Sequence, residues 1–325
     1  MLPKAVVAST DRLTVAAVRC AWSQWSSIGA LAVGSPQVDN EIVDIEGLIL
    51  GSLGLSRREP RLRTLATDWT VKNSELVSIA RLRALLEGPF AGTDLGVSEL
   101  AHVVSTTGGD ARWRALVPGS AAGGARAGQK MQKEQKAMPP RWRDARTLLL
   151  QLRRGFGVGM KPDLIAILLG SRGAWMDVST LCDLSRYSVA GVRRAADDMA
   201  NAGLIETSSG HSRAFRANVS AWTTLLPNIG SPVWRRRADG FAFALRWQDY
   251  VRGKASSHDS ELSVAISFGA RMTGFWRLWL EAGVTQQPVS DEPGNAWASR
   301  NVAIEQLVHW FEDRAHYGDG YEGET

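Results

Sequence analysis

The segment from residue 175 to residue 218 constrains the fold most, because short extended stretches alternate there with two short helices. Trp175–Val178 is extended, and Ser179 suits the N-cap of a helix that carries apolar side chains. Ser185–Tyr187 has the composition of a turn, and Ser188 suits the N-cap of a second helix. The pattern therefore predicts two short helices joined by a tight turn.

A hairpin follows the second predicted helix. Gly203 suits the residue just past its end, where a positive φ is common. Leu204–Thr207 and Ala214–Ala217 then alternate as a pair of strands around the polar connection 208–213. With a preceding helix over residues 161–169, the order predicts a helix-turn-helix followed by a β-hairpin wing.

The second helix has two different faces. Four of its residues recur at helical spacing and are predicted to face the core: Val189, Val192, Ala196 and Met199. The opposite face carries small or charged residues: Ser188, Ala190, Gly191, Arg193, Arg194 and Asp197. Small residues let a helix approach a base edge closely, and an arginine can bind guanine or phosphate through two hydrogen bonds. This face is therefore predicted to contact DNA.

Residues 161–218 resemble bacterial winged helix-turn-helix regulators of the MarR/ArsR type. The resemblance lies in the stretch 187–196 and in the closing Ala202-Gly203-Leu204-Ile205. It implies that residues of the second helix lie in the DNA groove, and that His211 and Arg213 touch the backbone or the minor groove. We include Arg186 and Tyr187, in the preceding turn, among the predicted DNA-binding residues. The alternative is that this winged helix packs against another protein.

Positive charge is concentrated before the winged helix. Residues 126–154 carry nine Lys/Arg against Glu134 and Asp144, whereas residues 155–222 carry seven against six acidic residues. The stretch 141–154 is predicted to be an amphipathic helix with a basic outer side, from which Arg143 and Arg146 would contact phosphates. The alternative is a solvated basic linker.

The whole chain is predicted to be mainly α, with a central winged helix-turn-helix domain flanked by helical domains. Helical spacing recurs in both flanks, while a Gly-, Ala- and Lys-rich stretch separates the first flank from the centre. The predicted units are a helical N-terminal domain (1–115), a flexible basic linker (116–140), the winged helix-turn-helix with its preceding basic helix (141–222), and a helical C-terminal domain with an acidic tail (223–325).

One enzymatic alternative rests on Gly34-Ser35 followed by Asp44 and Glu46, which resembles the phosphate-binding turn and paired carboxylates of nucleotidyltransferases. In those enzymes the carboxylates lie on strands, whereas Asp44 suits the N-cap of a helix. We therefore predict no catalytic residues, no metal site and no cofactor.

The favoured function is a sequence-specific transcriptional regulator that binds double-stranded DNA as a homodimer. The absence of a long apolar run predicts no membrane partner, and two scattered cysteines suit a reducing cytoplasm, where the protein would associate with the nucleoid. The helical flanks would bind a second copy or a partner protein, as in a repressor or an antitoxin that regulates its own gene.

Overall fold

The fold is mainly helical, with one small three-stranded antiparallel sheet. The computed structural model describes residues 4–30, 40–117, 142, 144–209, 213–226, 230–254, 274–284 and 298–312. The α-helices in these ranges are α1 (Lys4–Ser27), α2 (Ile45–Leu55), α3 (Arg61–Asn73), α4 (Ile79–Glu87), α5 (Val97–Thr106), α6 (Leu148–Phe156), α7 (Met160–Gly170), α8 (Val178–Ser185), α9 (Val189–Asn201), α10 (Val219–Leu225), α11 (Arg237–Lys254), α12 (Trp276–Glu281) and α13 (Ala298–Glu312). Short 3-10 turns cover Ser74–Leu76, Ala111–Leu116 and Ala145–Thr147.

Helices from the beginning and the end of the chain pack together. Helix α1 lies against α11 and α13, and α2 lies against α11. Three glycines of α2 allow α11 to approach closely. A Cβ at Gly51 would lie 2.6 Å from the ring of Phe241, one at Gly47 would lie 2.7 Å from Ala238, and one at Gly54 would clash with Leu245. Side chains of both flanks therefore share one apolar core.

A buried ion pair closes the same region. The guanidinium of Arg237, the first residue of α11, donates two hydrogen bonds of 2.8 Å to Glu41. It also donates to the carbonyl of Trp310 in α13, and Gln24 of α1 donates to the same carboxylate. Because both charges are buried, their mutual hydrogen bonds are needed to offset lost hydration.

All three strands of the sheet come from the central part of the chain, between residues 176 and 216. Its strands are β1 (Met176–Asp177), β2 (Glu206–Thr207) and β3 (Ala214–Arg216), in the order β1-β3-β2. Both pairings are antiparallel, with Met176 opposite Phe215 and Thr207 opposite Phe215 on the other side. The fully buried ring of Phe215 anchors the middle strand on α7.

Several local predictions are confirmed by the structure. Asp44 caps α2 by accepting a hydrogen bond from the amide of Gly47, and Ser188 caps α9 through the amide of Gly191. Gly203 follows the end of α9 with φ of 72°. One cap differs, because Asp177, not Ser179, accepts the bond that begins α8. The carboxylate of Asp177 lies at the end of β1, so α8 begins two residues earlier than predicted.

Candidate nucleic-acid interface

Helices α8 and α9 are joined by a short turn that is held by a backbone hydrogen bond and an ion pair. Helix α8 ends at Ser185, and Arg186 then adopts a left-handed conformation with φ of 63°. A non-glycine residue in this conformation needs support from its neighbours. Here the Arg186 amide donates to the carbonyl of Cys182, and its guanidinium reaches Asp239 in α11 at 2.5 Å. The turn is thus held by a hydrogen bond to α8 and by an ion pair with α11.

Helix α9 separates an apolar face from an exposed one. Its buried residues are Val192, Ala195, Ala196 and Met199, and the helix packs on α7 and α8. The prediction for Val189 is wrong, because this side chain is 52% exposed. The buried stripe begins one turn later, at Val192, and includes Ala195.

The exposed face of α9 contains most of the predicted contact residues. Ser188, Ala190, Arg193 and Arg194 are exposed, and Gly191 is partly covered by Met160. Neither Arg193 nor Arg194 has an ion partner within the ranges that the structure describes. Two cations therefore stand beside small side chains on one surface, with their donors available to a ligand.

The hairpin lies beside this face. Arg213, just before β3, is exposed and forms an ion pair of 2.6 Å with Asp197 of α9. At the base of the hairpin, Arg216 pairs with Glu206 and lies 4.5 Å from the ring centre of Trp175, which is exposed. His211 is outside the described residues.

The side chains of two predicted contact residues are partly buried and engaged by other residues of the protein. The Tyr187 hydroxyl donates to Asp163 of α7 at 2.8 Å, and Arg186 is paired with Asp239 and Asp183. In this arrangement neither side chain is presented to a ligand as Arg193 and Arg194 are.

The predicted basic outer side of residues 141–154 is wrong at two of its arginines. Helix α6 begins only at Leu148, and both Arg146 and Arg153 are buried. Arg146 is bound by Asp144, and its backbone carbonyl accepts a hydrogen bond from Val43. Arg154 remains exposed, while Arg143 lies outside the described residues. The structure therefore places Arg146 away from any surface phosphate.

Arg153 is the centre of a buried ionic cluster that the sequence did not predict. Its Nε and Nη2 each donate to Asp163 at 2.8 Å, and its two Nη atoms donate to Glu46 at 2.6 and 3.0 Å. The carbonyl of Leu76 accepts a further bond from Nη1. Burial disfavours the charge of Arg153, but Asp163 and Glu46 hold its pKa above the usual value. The available signal was a charged residue inside an apolar helix, as Asp163 is within α7.

The carboxylates of the nucleotidyltransferase alternative lie in the same cluster. Asp44 caps α2 and accepts a hydrogen bond of 2.6 Å from Arg81, and Glu46 is fully buried against Arg153. Burial raises the pKa of Glu46, although Arg153 opposes this. Both carboxylates belong to a helix and are neutralised by arginines, so their oxygens already have partners. Gly34 and Ser35 are outside the described residues.

The described ranges hold neither a candidate metal site nor a helix suited to a membrane. They contain no group of three or more histidine, cysteine, aspartate or glutamate side chains arranged to hold a metal ion. None of the helices in those ranges combines the length and apolarity needed to cross a bilayer.

Comparison with known proteins gives no match to a family model, a curated protein or a solved structure. Functional inference therefore depends on the residues and geometry described above.

Proposed function

We propose that this protein is a sequence-specific DNA-binding transcriptional regulator whose α9 enters the major groove. The order β1, α8, turn, α9, β2 and β3 supports assignment to the winged helix-turn-helix class, with the β2–β3 hairpin as the wing. The observation that carries the proposal is the exposed face of α9, where two arginines without ion partners in the described ranges stand beside Ser188 and Ala190.

The residues of this face suit the two tasks of a recognition helix. Ser188 and Ala190 are small enough for the first turn of α9 to approach base edges. Arg193 and Arg194 each carry a planar fork of donors that matches the O6 and N7 acceptors of guanine or two phosphate oxygens. The opposite face is buried against α7 and α8, so the helix can present its arginines without losing its support.

The wing would contact the backbone beside the groove. Arg213 is exposed, and its present partner Asp197 lies on α9. Because an exposed ion pair contributes at most about 1 kcal/mol, exchanging this carboxylate for a phosphate costs little. The phosphate contact would also leave Asp197 free to reject a base that places an acceptor against it.

A homodimer follows from the size of the contact. One recognition helix reads only a short half-site, so two copies are needed for a selective operator. We assign dimerisation or partner binding to the helical flanks, as in a repressor or an autoregulatory antitoxin, and we place the protein in the cytoplasm at the nucleoid.

The proposal is tested with duplexes selected by the full chain from a random pool. Affinity for the selected duplex is measured by fluorescence anisotropy for the native chain and for the double variant Arg193→Ala, Arg194→Ala. We expect a loss of about tenfold or more for each arginine that reads a base.

The matched control is Arg57→Ala with Arg58→Ala, which removes two consecutive exposed arginines and the same charge elsewhere on the surface. The control should bind nearly as tightly as the native chain. Equal affinity of the two double variants would remove α9 as the reading element, and a native chain that selects no duplex would remove the proposed function itself.

A further inference from the structure

The turn between α8 and α9 accepts a hydrogen bond from Arg81 and donates one to Asp163, and both of these charged residues are buried. Arg81 of α4 is 1% exposed, and its Nη1 donates to the carbonyl of Ser185 at 2.5 Å and to that of Leu184 at 3.2 Å. These carbonyls lie at the C-terminal end of α8. The last carbonyls of a helix have no donor within the helix and carry partial negative charge. Arg81 therefore caps α8 from a helix about a hundred residues earlier in the chain.

The other end of the Arg81 guanidinium is fixed. Nε and Nη2 donate to Asp44 at 3.3 and 2.6 Å, and Asp44 is itself the N-cap of α2. The rigid, planar guanidinium therefore links the start of α2 to the end of α8 in a fixed geometry. A lysine at this position offers the same charge but cannot span both partners in that fixed geometry.

Tyr187 fastens the turn at a second point. Its hydroxyl donates to Oδ2 of Asp163 at 2.8 Å and lies 3.0 Å from Oγ of Ser78. Since the single phenolic proton is used on Asp163, the serine donates to the tyrosine oxygen. The same serine oxygen accepts the backbone amide of Arg81. Burial and the neighbouring Asp163 raise the pKa of Tyr187, so the hydroxyl keeps its proton.

The next residue along the chain is Ser188, the N-cap of α9. Tyr187 is thus one peptide unit from the start of the proposed recognition helix, and its side-chain partners are Asp163 within α7 and Ser78, the N-cap of α4. The contact surface of α9 is exposed, whereas Ser78, Arg81 and Asp163, which hold the turn before it, are buried. This separation allows the position of α9 to be changed without touching any residue that would meet DNA.

We propose that Arg81 and Tyr187 are positioning residues that set the placement of α9 and hence the selectivity of the protein for its DNA sequence. The inference rests on the proposed function. Base contacts require closer alignment than phosphate contacts, because hydrogen bonds to base edges are directional while phosphate attraction is longer in range. A loosened turn should therefore reduce discrimination between sequences more than it reduces general affinity.

The test uses Tyr187→Phe, which removes one oxygen and keeps the ring. Affinity is measured for the selected duplex and for a scrambled duplex of equal length, together with the dependence on salt. We expect the ratio of the two affinities to fall about tenfold, which matches the loss of one hydrogen bond to a charged group. The salt slope should not change, because no phosphate contact is removed.

Tyr250→Phe is the matched control, because it removes the same hydroxyl from a buried tyrosine elsewhere, in α11. This variant should keep the native affinity ratio. If both tyrosine variants, folded by circular dichroism, keep the native ratio, the positioning role is overturned.

Amide hydrogen exchange gives a readout that needs no DNA. Tyr187→Phe and Arg81→Lys should both speed exchange in residues 186–192 relative to the core amides of α7. Unchanged exchange there in folded Tyr187→Phe overturns the inference even where the native chain selects no duplex, so its failure is distinguishable from failure of the proposed function. We expect Arg81→Lys to lose both the native exchange rate and the native ratio of affinities, because the planar fork, and not the charge alone, is required. Retention of both native values by Arg81→Lys would contradict the role of Arg81.

Discussion

Tyr187 donates a 2.8 Å hydrogen bond to Asp163, and this bond joins the turn before α9 to the interior of α7. Asp163 is 1% exposed and also binds Arg153 through both of its oxygens. The start of α9 is consequently fastened to a cluster that includes α2, α4 and α6. Hydrogen bonds through Asp163 thus connect the turn before α9 to the buried Arg153.

The Tyr187–Asp163 bond is expected to contribute to stability as well as to placement. In a double-mutant cycle with Tyr187→Phe and Asp163→Asn, the coupling free energy should be about 1.5–3 kcal/mol, since the acceptor is charged and buried. Urea denaturation of the four proteins measures it. A coupling near zero would mean that the hydroxyl is equally well satisfied without Asp163.

Two neighbouring arginines of α6 should differ strongly in their effect on stability. Arg153→Met leaves Glu46 and Asp163 buried without their partner, and we expect a loss of about 3–5 kcal/mol in the free energy of unfolding. Arg154→Met removes only an exposed pair with Glu75 and should change stability by no more than about 1 kcal/mol. Similar losses for the two variants would show that Arg153 is not buried as described.

Glycine substitutions test the close contact between α2 and α11. Gly51→Ala places a Cβ 2.6 Å from the ring of Phe241, and we expect a loss of about 1–3 kcal/mol despite the better helix propensity of alanine.

Gly155→Ala is the control, because its Cβ would meet no described atom within 4 Å. This change should leave stability unaltered or raise it by up to about 1 kcal/mol. Thermal unfolding of both variants is sufficient, and an equal gain at the two positions would contradict the packing of α2 on α11.

Glu281 should make stability depend on pH. Burial raises the pKa of this carboxyl from 4.5 to about 7, although the Arg236 amide donates to it and the nearby arginines attract its charge. A raised folded-state pKa means that the folded protein binds the proton more tightly. The contribution is therefore complete below pH 4.5 and is lost as pH rises through about 7.

The measurement compares the native chain with Glu281→Gln, which keeps an acceptor for the Arg236 amide but does not titrate. Between pH 5 and pH 8 the native chain should lose stability relative to the variant, by an amount on the order of 3 kcal/mol. A difference that stays constant over this range would contradict the raised pKa.

The sequence predicted several caps, one helix end and the hairpin because caps and periodicity are local signals. The N-caps Asp44 and Ser188, Gly203 after α9 and the paired strands of the hairpin all depend on a few adjacent residues. The exposed positions of Arg193 and Arg194 followed from the same periodicity.

The burial of Arg81, Arg146 and Arg153 could not be predicted in this way. Hydrophobic periodicity assigns a charged side chain to the surface, and the carboxylates that stabilise Arg153 are ten and 107 residues away in sequence. The hydrogen bonds of Tyr187 were missed for the same reason, because its partners Ser78 and Asp163 are 109 and 24 residues away in sequence. The contacts that hold the turn before α9 are therefore long-range in sequence, and local patterns do not reveal them.

The central claim, that α9 lies in the DNA groove, is tested most directly by affinity cleavage. An iron chelate is attached to a cysteine introduced at position 190, in a Cys182→Ala chain, and the selected duplex is mapped for strand cuts. Cleavage should be confined to the selected half-site. The same chelate attached at the exposed residue Ser220 of α10 should leave that half-site uncut. Absence of cleavage from position 190, or equal cleavage from positions 190 and 220, would contradict the placement of α9 in the groove.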